Sequence, residues 1–63
     1  MDAMIQRLAQ ELERPVHQVE NVVHLIDEGN TIPFIARYRK ELHGSMDDQL
    51  LRQLAERLQY LRN

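Results

Sequence analysis

The sequence predicts an all-α fold: a small bundle of about four short helices that forms one domain over residues 1–63. Apolar residues recur at spacings of three and four in four separate segments, as on the buried faces of amphipathic helices. No segment shows the apolar–polar alternation that is typical of strands. Both prolines fall where a helix would start, and the glycines fall in a helix stop and in a turn. A chain of 63 residues has room for one small domain.

The first predicted helix runs from Asp2 to Glu13. Asp2 suits the N-cap or the first turn, where a negative charge faces the positive end of the helix. The apolar face of this helix consists of Met1, Met4, Ile5, Leu8 and Leu12.

The second predicted helix begins at Pro15, because proline suits a first helical position. Gly29 is a C′ residue of the kind that ends helices in a left-handed conformation. Valine is a poor helix former, so burial must outweigh its propensity and this helix should be central. Its apolar stripe consists of Val16, Val19, Val23 and Ile26, with Val22 on the edge.

The third predicted helix begins at Pro33. At 100° per residue its apolar side chains fall within about a 100° arc, and three cations surround that arc without forming one patch. We expect Phe34, Ile35 and Tyr38 to pack in the core. Helices two and three, joined through Gly29, are consistent with a helix-turn-helix-like pair. The arc consists of Phe34, Ile35, Tyr38 and Leu42, and the cations are Arg37, Arg39 and Lys40.

The fourth predicted helix begins near Ser45 and has two competing caps. Ser45 with Asp48 resembles a capping box, whereas Asp47 as the cap would let Met46 pack onto Leu51. No stop signal precedes the last residue, so we expect the chain to end inside a longer helix and to be a fragment of a larger protein. Tyr60 lies off the apolar stripe, which consists of Leu50, Leu51, Leu54, Leu58 and Leu61.

Charge is distributed unevenly along the chain. Residues 1–30 carry two basic and six acidic side chains, and residues 31–63 carry six basic and four acidic ones. The halves therefore have charges of −4 and +2, which sum to −2. Free-standing nucleic-acid-binding domains are usually plainly basic, so any attraction to phosphate must come from the second half.

Catalytic and metal chemistry are not indicated. His17 and His24 are seven residues apart with no evident third ligand, whereas a helical zinc pair is spaced by four. Ser45 has no base at a recognisable spacing, and two glycines make no phosphate-binding loop. We therefore predict no catalytic residues, no metal site, no cofactor and no enzyme activity. No apolar run approaches a membrane span and no secretory signal is recognisable, so a cytoplasmic location without membrane partners is expected.

The cations of helix three have two interpretations. In the first, Arg37, Arg39 and Lys40 contact phosphates, with Tyr38 or Phe34 near a base. Alternatively they pair with carboxylates or form the rim of a domain interface. The carboxylates within plausible reach are Glu41, Asp27 and Glu28. The predicted interface residues are Phe34, Tyr38 and Tyr60.

The run LIDEGNTIPFIARYRKE, residues 25–41, closely resembles the N-terminal signature of the Tex proteins, which are bacterial transcription accessory factors. MDDQLLR at residues 46–52 and ERLQYLR at residues 56–62 look like the family's next segment. Pro15 with Gln18 and Val19 is similar to the family's upstream helix. The family usually has a second glycine where this chain has Ser45, a departure that affects only the turn.

The resemblance implies a larger multidomain protein. Tex-like proteins carry this helical region, a helix-turn-helix part, a resolvase-like fold, helix-hairpin-helix elements and a C-terminal RNA-binding domain of the oligonucleotide-binding type. Nucleic-acid binding in the family is attributed mainly to that last domain, and no catalytic residues of the family map onto this chain.

Three hypotheses follow from the residues and the resemblance. The favoured one is a helical scaffold of an RNA-binding transcription accessory protein, which docks on later domains of the parent chain through helix three and the end of helix four. RNA or DNA would be the partner of the parent protein. Alternatively, the segment itself contacts nucleic acid or the transcription machinery through Arg37, Arg39 and Lys40. A second alternative is a module that binds a partner helix through an exposed leucine face.

Overall fold

The computed structural model describes residues 3–63. These residues form no strand, so the predicted all-α class is confirmed. The cap predicted for Asp2 and the position predicted for Met1 lie outside the described residues. Five helices lie within the described residues: α1 (Ala3–Leu12), α2 (Val16–Asp27), α3 (Ile32–Tyr38), α4 (Lys40–His43) and α5 (Asp48–Arg62).

The core lies between α5 and the helices that pack on it. α5 contacts α1, α2 and α3, and α2 also contacts α1, α3 and α4. The valines of α2 are central, as predicted, although Val22 is fully buried rather than at an edge. The buried core consists of Ile5, Leu8, Ala9, Leu12, Val19, Val22, Val23, Leu25, Ile35, Met46, Leu51, Leu54 and Leu58.

The helix ends of α1 and α2 share one hydrogen-bond pattern. After α2, the Gly29 N–H donates to the Ile26 carbonyl at 2.9 Å and the Asn30 N–H donates to the Leu25 carbonyl at 3.2 Å. This is the Schellman arrangement predicted from Gly29, which has a φ of 97°. α1 ends in the same way, but Glu13, with a φ of 56°, occupies the left-handed position.

The helix starts of α2 and α3 differ from prediction by one residue. Pro15 is the N-cap of α2 instead of its first residue, because its ψ of 141° is extended while its carbonyl already accepts from the helix. α3 begins at Ile32, and Pro33 is its second residue. The Thr31 hydroxyl caps α3 by accepting from the Phe34 N–H at 3.3 Å.

The third predicted helix is divided in two. Arg39, with φ −126° and ψ 35°, leaves helical geometry and separates α3 from α4. Asn21 of α2 donates from Nδ2 to the Leu42 carbonyl at 3.1 Å and so holds α4 in its new direction. Gly44 ends α4 with a φ of 64°, and a Cβ there would overlap the side chain of Gln18. The left-handed backbone favours glycine at this position, and the end of the Gln18 side chain covers it.

α5 uses the Asp47 cap. Asp47 Oδ1 accepts from the Leu50 N–H at 2.8 Å. The capping box with Ser45 does not form, because Ser45 has a φ of 71° and belongs to the preceding turn. Met46 and Leu51 are both buried in the core, as expected of residues on either side of this cap.

Candidate functional site

The exposed side of α3 carries two aromatic rings in contact. The centroids of Phe34 and Tyr38 are 5.2 Å apart, and the rings are tilted by 43°. Ile35 is fully buried, as predicted, whereas Phe34 is half-buried and Tyr38 is 53% exposed. The expected core packing of Tyr38 was therefore wrong. Residues 34 and 38 lie one turn apart on one side of the helix, and Ile35 lies about 100° away on the side that faces the core.

Each ring of this pair lies under a guanidinium group. The Arg37 guanidinium carbon is 5.4 Å from the Tyr38 ring centroid, and that of Arg39 is 5.0 Å from the Phe34 centroid. Arg39 also donates from Nη1 to the Tyr38 carbonyl at 3.1 Å. These are cation–π distances, each contributing about 0.5–1 kcal/mol at exposed sites. Lys40, the first residue of α4, is exposed beside them. We call these five residues the α3 surface: Phe34, Arg37, Tyr38, Arg39 and Lys40.

The cations of the α3 surface have no carboxylate partner within residues 3–63. Two of the three acids considered as partners are engaged elsewhere. Asp27 binds Arg62, and Glu28 lies 3.3 Å from Nε2 of His24. Carboxylate pairing therefore does not account for Arg37, Arg39 and Lys40.

Tyr60, the third predicted interface residue, is 66% exposed on α5. Its ring centroid lies 4.7 Å from the Arg57 guanidinium carbon. Arg57 in turn binds Glu11 of α1 through two hydrogen bonds, Nε to Oε1 at 2.9 Å and Nη2 to Oε2 at 3.1 Å. The Arg57 hydrogen bonds hold the pKa of the Glu11 carboxyl below its usual value, and the same contact raises the pKa of Arg57.

A second bidentate pair joins the ends of α2 and α5. Arg62 donates from Nη1 and Nη2 to the two carboxylate oxygens of Asp27, at 2.8 and 2.9 Å. Hydrogen bonding to Arg62 lowers the pKa of Asp27. The acidic first half and the basic second half of the chain are thus connected by the Glu11–Arg57 and Asp27–Arg62 pairs.

His43 was missed by the sequence analysis. It is 1% exposed, and its Nδ1 accepts from the Met46 N–H at 2.9 Å. Because Nδ1 is the acceptor, the ring proton lies on Nε2, which faces the Ala36 carbonyl at 3.4 Å. The only signal in the sequence was a histidine directly before a turn glycine, where an imidazole can bond to the turn backbone.

The other two histidines, His17 and His24, are exposed on α2. His24 lies beside Glu28, and over residues 3–63 no group of three or more His, Cys, Asp or Glu side chains is placed to hold a metal ion. In the same part of the chain, no helix combines the length and apolar character that a membrane crossing requires.

Comparison with known proteins gives close relatives. The chain is 60% identical to the transcriptional accessory protein Tex of Neisseria gonorrhoeae over 55 residues, which are 87% of the chain and 7% of that protein. It is 52% identical to protein YhgF of Escherichia coli over 97% of the chain and 8% of the relative. It is 39% identical to the human S1 RNA-binding domain-containing protein 1 over 94% of the chain and 6% of the relative.

The chain thus spans less than a tenth of the length of these relatives. A model of the Tex-like protein N-terminal domain matches residues 2–63. Because this match covers nearly the whole chain, the chain belongs to the family of Tex-like N-terminal domains, as its resemblance predicted.

Proposed function

We propose that this chain is the N-terminal scaffold and docking domain of a longer, nucleic-acid-binding transcription accessory protein, the parent protein. It docks on later domains of the parent protein through the α3 surface and through Tyr60 of α5. One observation carries the proposal: none of the three aromatic side chains of the chain lies in the buried core.

The position of the rings is costly for a domain that functions alone. A domain of this size buries only about 60% of the surface of its unfolded chain, so it has little apolar burial to spare. Full burial of one large apolar side chain stabilises a protein by about 1.5–3 kcal/mol. This domain leaves part of that stabilisation unused at Tyr38 and Tyr60, which are 53% and 66% exposed. Aromatic and arginine side chains are also the types enriched at protein interfaces and at their energetic hot spots.

The names of the relatives support a nucleic-acid-binding parent protein. One is a transcriptional accessory protein, and another is an S1 RNA-binding domain-containing protein. Since the chain corresponds to only 6–8% of these proteins, we assign RNA or DNA binding to the parent protein instead of this domain. We further propose that the domain has no catalytic role and that the parent protein works in the cytoplasm, where bacterial transcription takes place.

Tyrosine nitration tests the docking proposal directly, because Tyr38 and Tyr60 are the only tyrosines in the chain. In the isolated 63-residue chain both tyrosines should react readily with tetranitromethane. In the full-length parent protein both should react several-fold more slowly, and Phe34→Ala should restore part of the reactivity of Tyr38. Equal nitration in the two proteins would refute docking at these residues.

A second candidate function is direct contact with nucleic acid through Arg37, Arg39 and Lys40. It is favoured by the absence of ion pairs at these three cations within residues 3–63. Three phosphate contacts give a salt slope of about −2 on single strands and about −2.7 on duplex DNA, which means weak binding at physiological salt. Under this candidate, Arg37→Ala or Lys40→Ala weakens binding to all sequences alike and lowers the slope by about one.

The two functions are separated by titrating the isolated chain with short RNA and DNA at low and at physiological salt. Docking predicts little affinity at physiological salt, and a submicromolar complex that resists salt would favour direct contact. The leucine-face alternative has no support in residues 3–63, because the large hydrophobic side chains exposed there are Tyr38 and Tyr60 and no leucine is among them.

A further inference from the structure

Three side chains of this domain form a complete recognition unit on its surface. The Tyr60 ring lies beside the Arg57 guanidinium, and that guanidinium holds both carboxylate oxygens of Glu11. The ring orients the planar cation, and the cation presents a two-pronged donor that matches a carboxylate. We call this arrangement the ring–guanidinium–carboxylate triad.

The α3 surface contains the same unit twice without its third member. Arg37 lies over Tyr38 and Arg39 lies over Phe34, but neither arginine meets a carboxylate within residues 3–63. The remaining described arginines differ. Arg7, Arg57 and Arg62 bind carboxylates, and Arg14 and Arg52 have neither a ring nor a carboxylate. A ring without a carboxylate therefore distinguishes the α3 arginines from every other arginine described.

We infer that the missing members of these two triads are Asp or Glu side chains of an acidic protein segment that docks on the α3 surface. The inference rests on the proposed docking function and specifies the chemistry of the partner. Guanidinium groups that are already held against rings lose less side-chain freedom when they bind a partner. This lowers the entropy cost of binding a carboxylate of complementary shape and charge. Lys40 adds a third positive charge beside them.

The surroundings of Lys40 favour separate carboxylates over a continuous polyanion. Lys40 shares a cavity of about 340 Å³ with Asp47 and Asp48. These acids would repel a phosphate chain that runs past Lys40 toward α5. A protein segment can place its acids at Arg37, Arg39 and the ammonium group of Lys40, and neutral residues opposite Asp47 and Asp48.

Carbodiimide cross-linking tests the inference, since it joins an amine to a neighbouring carboxylate without a spacer. Lys40 is the only lysine in the chain, so a cross-link from its side chain can be assigned by mass spectrometry. In the full-length parent protein we expect an amide between Lys40 and an Asp or Glu outside residues 1–63. Cross-links from Lys40 to carboxylates within residues 1–63 are identified on the isolated chain and excluded from the set found in the full-length protein. Lys40→Arg, which keeps the charge but gives no such amide, is the reagent control.

Arginine variants test whether the guanidinium groups hold that partner. Arg37→Gln with Arg39→Gln should lower the yield of the external cross-link about thirtyfold, the effect of one hot-spot loss on affinity. Arg52→Gln, at an exposed arginine with neither ring nor carboxylate, should leave the yield unchanged. Far-UV circular dichroism of each variant confirms that the helices are intact.

The outcomes separate this inference from the proposed function. If Tyr38 is protected from nitration but no external carboxylate is cross-linked, or the arginine variants have no effect, docking stands and the acidic partner is refuted. If Tyr38 is not protected, both are refuted. If a single-stranded oligo-dT protects Tyr38 and abolishes the external cross-link at physiological salt, the α3 surface is a nucleic-acid site and the acidic partner is again refuted.

Discussion

Replacement of His43 by alanine removes the one polar side chain of the buried core formed by residues 3–63. The Met46 N–H, which donates to Nδ1 at 2.9 Å, then lies buried without an acceptor, at a cost of about 1–3 kcal/mol. Loss of the ring also leaves a cavity, and large-to-small core changes cost about 2–5 kcal/mol in total. We expect His43→Ala to lower the free energy of unfolding by about 3 kcal/mol, out of a total of roughly 3–9 kcal/mol for a domain of this size.

Urea denaturation followed by far-UV circular dichroism measures this loss by linear extrapolation. His43→Asn keeps an acceptor near the position of Nδ1, so it should retain more stability than His43→Ala. His17→Ala, at an exposed histidine of α2, serves as the matched control and should change stability by less than about 0.5 kcal/mol. The reasoning is refuted if His43→Ala costs no more than His17→Ala, or if His43→Asn is no better than His43→Ala.

Three further predictions concern strained residues and charge. Glu13→Gly should stabilise the domain by about 1 kcal/mol, because glycine has no penalty in the left-handed position that ends α1; urea denaturation measures the gain. Gly29→Ala and Gly44→Ala should each cost about 1–2 kcal/mol for a left-handed backbone, because the end of the Gln18 side chain can move away from a Cβ at residue 44. The pKa of the Glu11 carboxyl is lower in the folded chain than in the unfolded chain. The contribution of Glu11 to the free energy of unfolding is therefore present above the unfolded pKa, and it is lost as the pH falls through the folded pKa. Arg57→Gln should weaken this acid dependence, and the part that remains comes from the hydrogen bond of Arg7 to Glu11. Urea denaturation at neutral and acid pH measures the difference.

Local patterns in the sequence were sufficient for most helices. The leucine stripe predicted for α5 is buried at Leu51, Leu54 and Leu58, because a regular spacing on one long helix meets a single core. The end of α2 was predicted from Gly29, since few residues other than glycine take a left-handed conformation without cost. The Asp47 cap was one of two alternatives, and the turn geometry at Ser45 decided between them.

Features set by tertiary contacts escaped prediction. The break at Arg39 depends on the bond from Asn21 to the Leu42 carbonyl, and nothing within residues 33–42 marks it. The exposure of Tyr38 depends on which side of the seven-residue helix α3 packs on α5. Ile35 lies on the packed side and is buried, so Tyr38 lies on the side that faces solvent. For the candidate site, the residues of the α3 surface were predicted from the sequence. The contacts of Arg37 with the Tyr38 ring and of Arg39 with the Phe34 ring became visible only in the folded chain.

The peripheral position of the aromatic rings has a consequence for spectroscopy. The chain has no tryptophan, and its two tyrosines are both largely in solvent. Melting of the core removes only the partial cover that Phe34, Arg37 and Arg57 give these rings, whereas a partner that covers Tyr38 takes its ring out of water. Intrinsic fluorescence therefore reports association and the peptide dichroism reports folding, so the two processes can be followed independently in one sample without an added label.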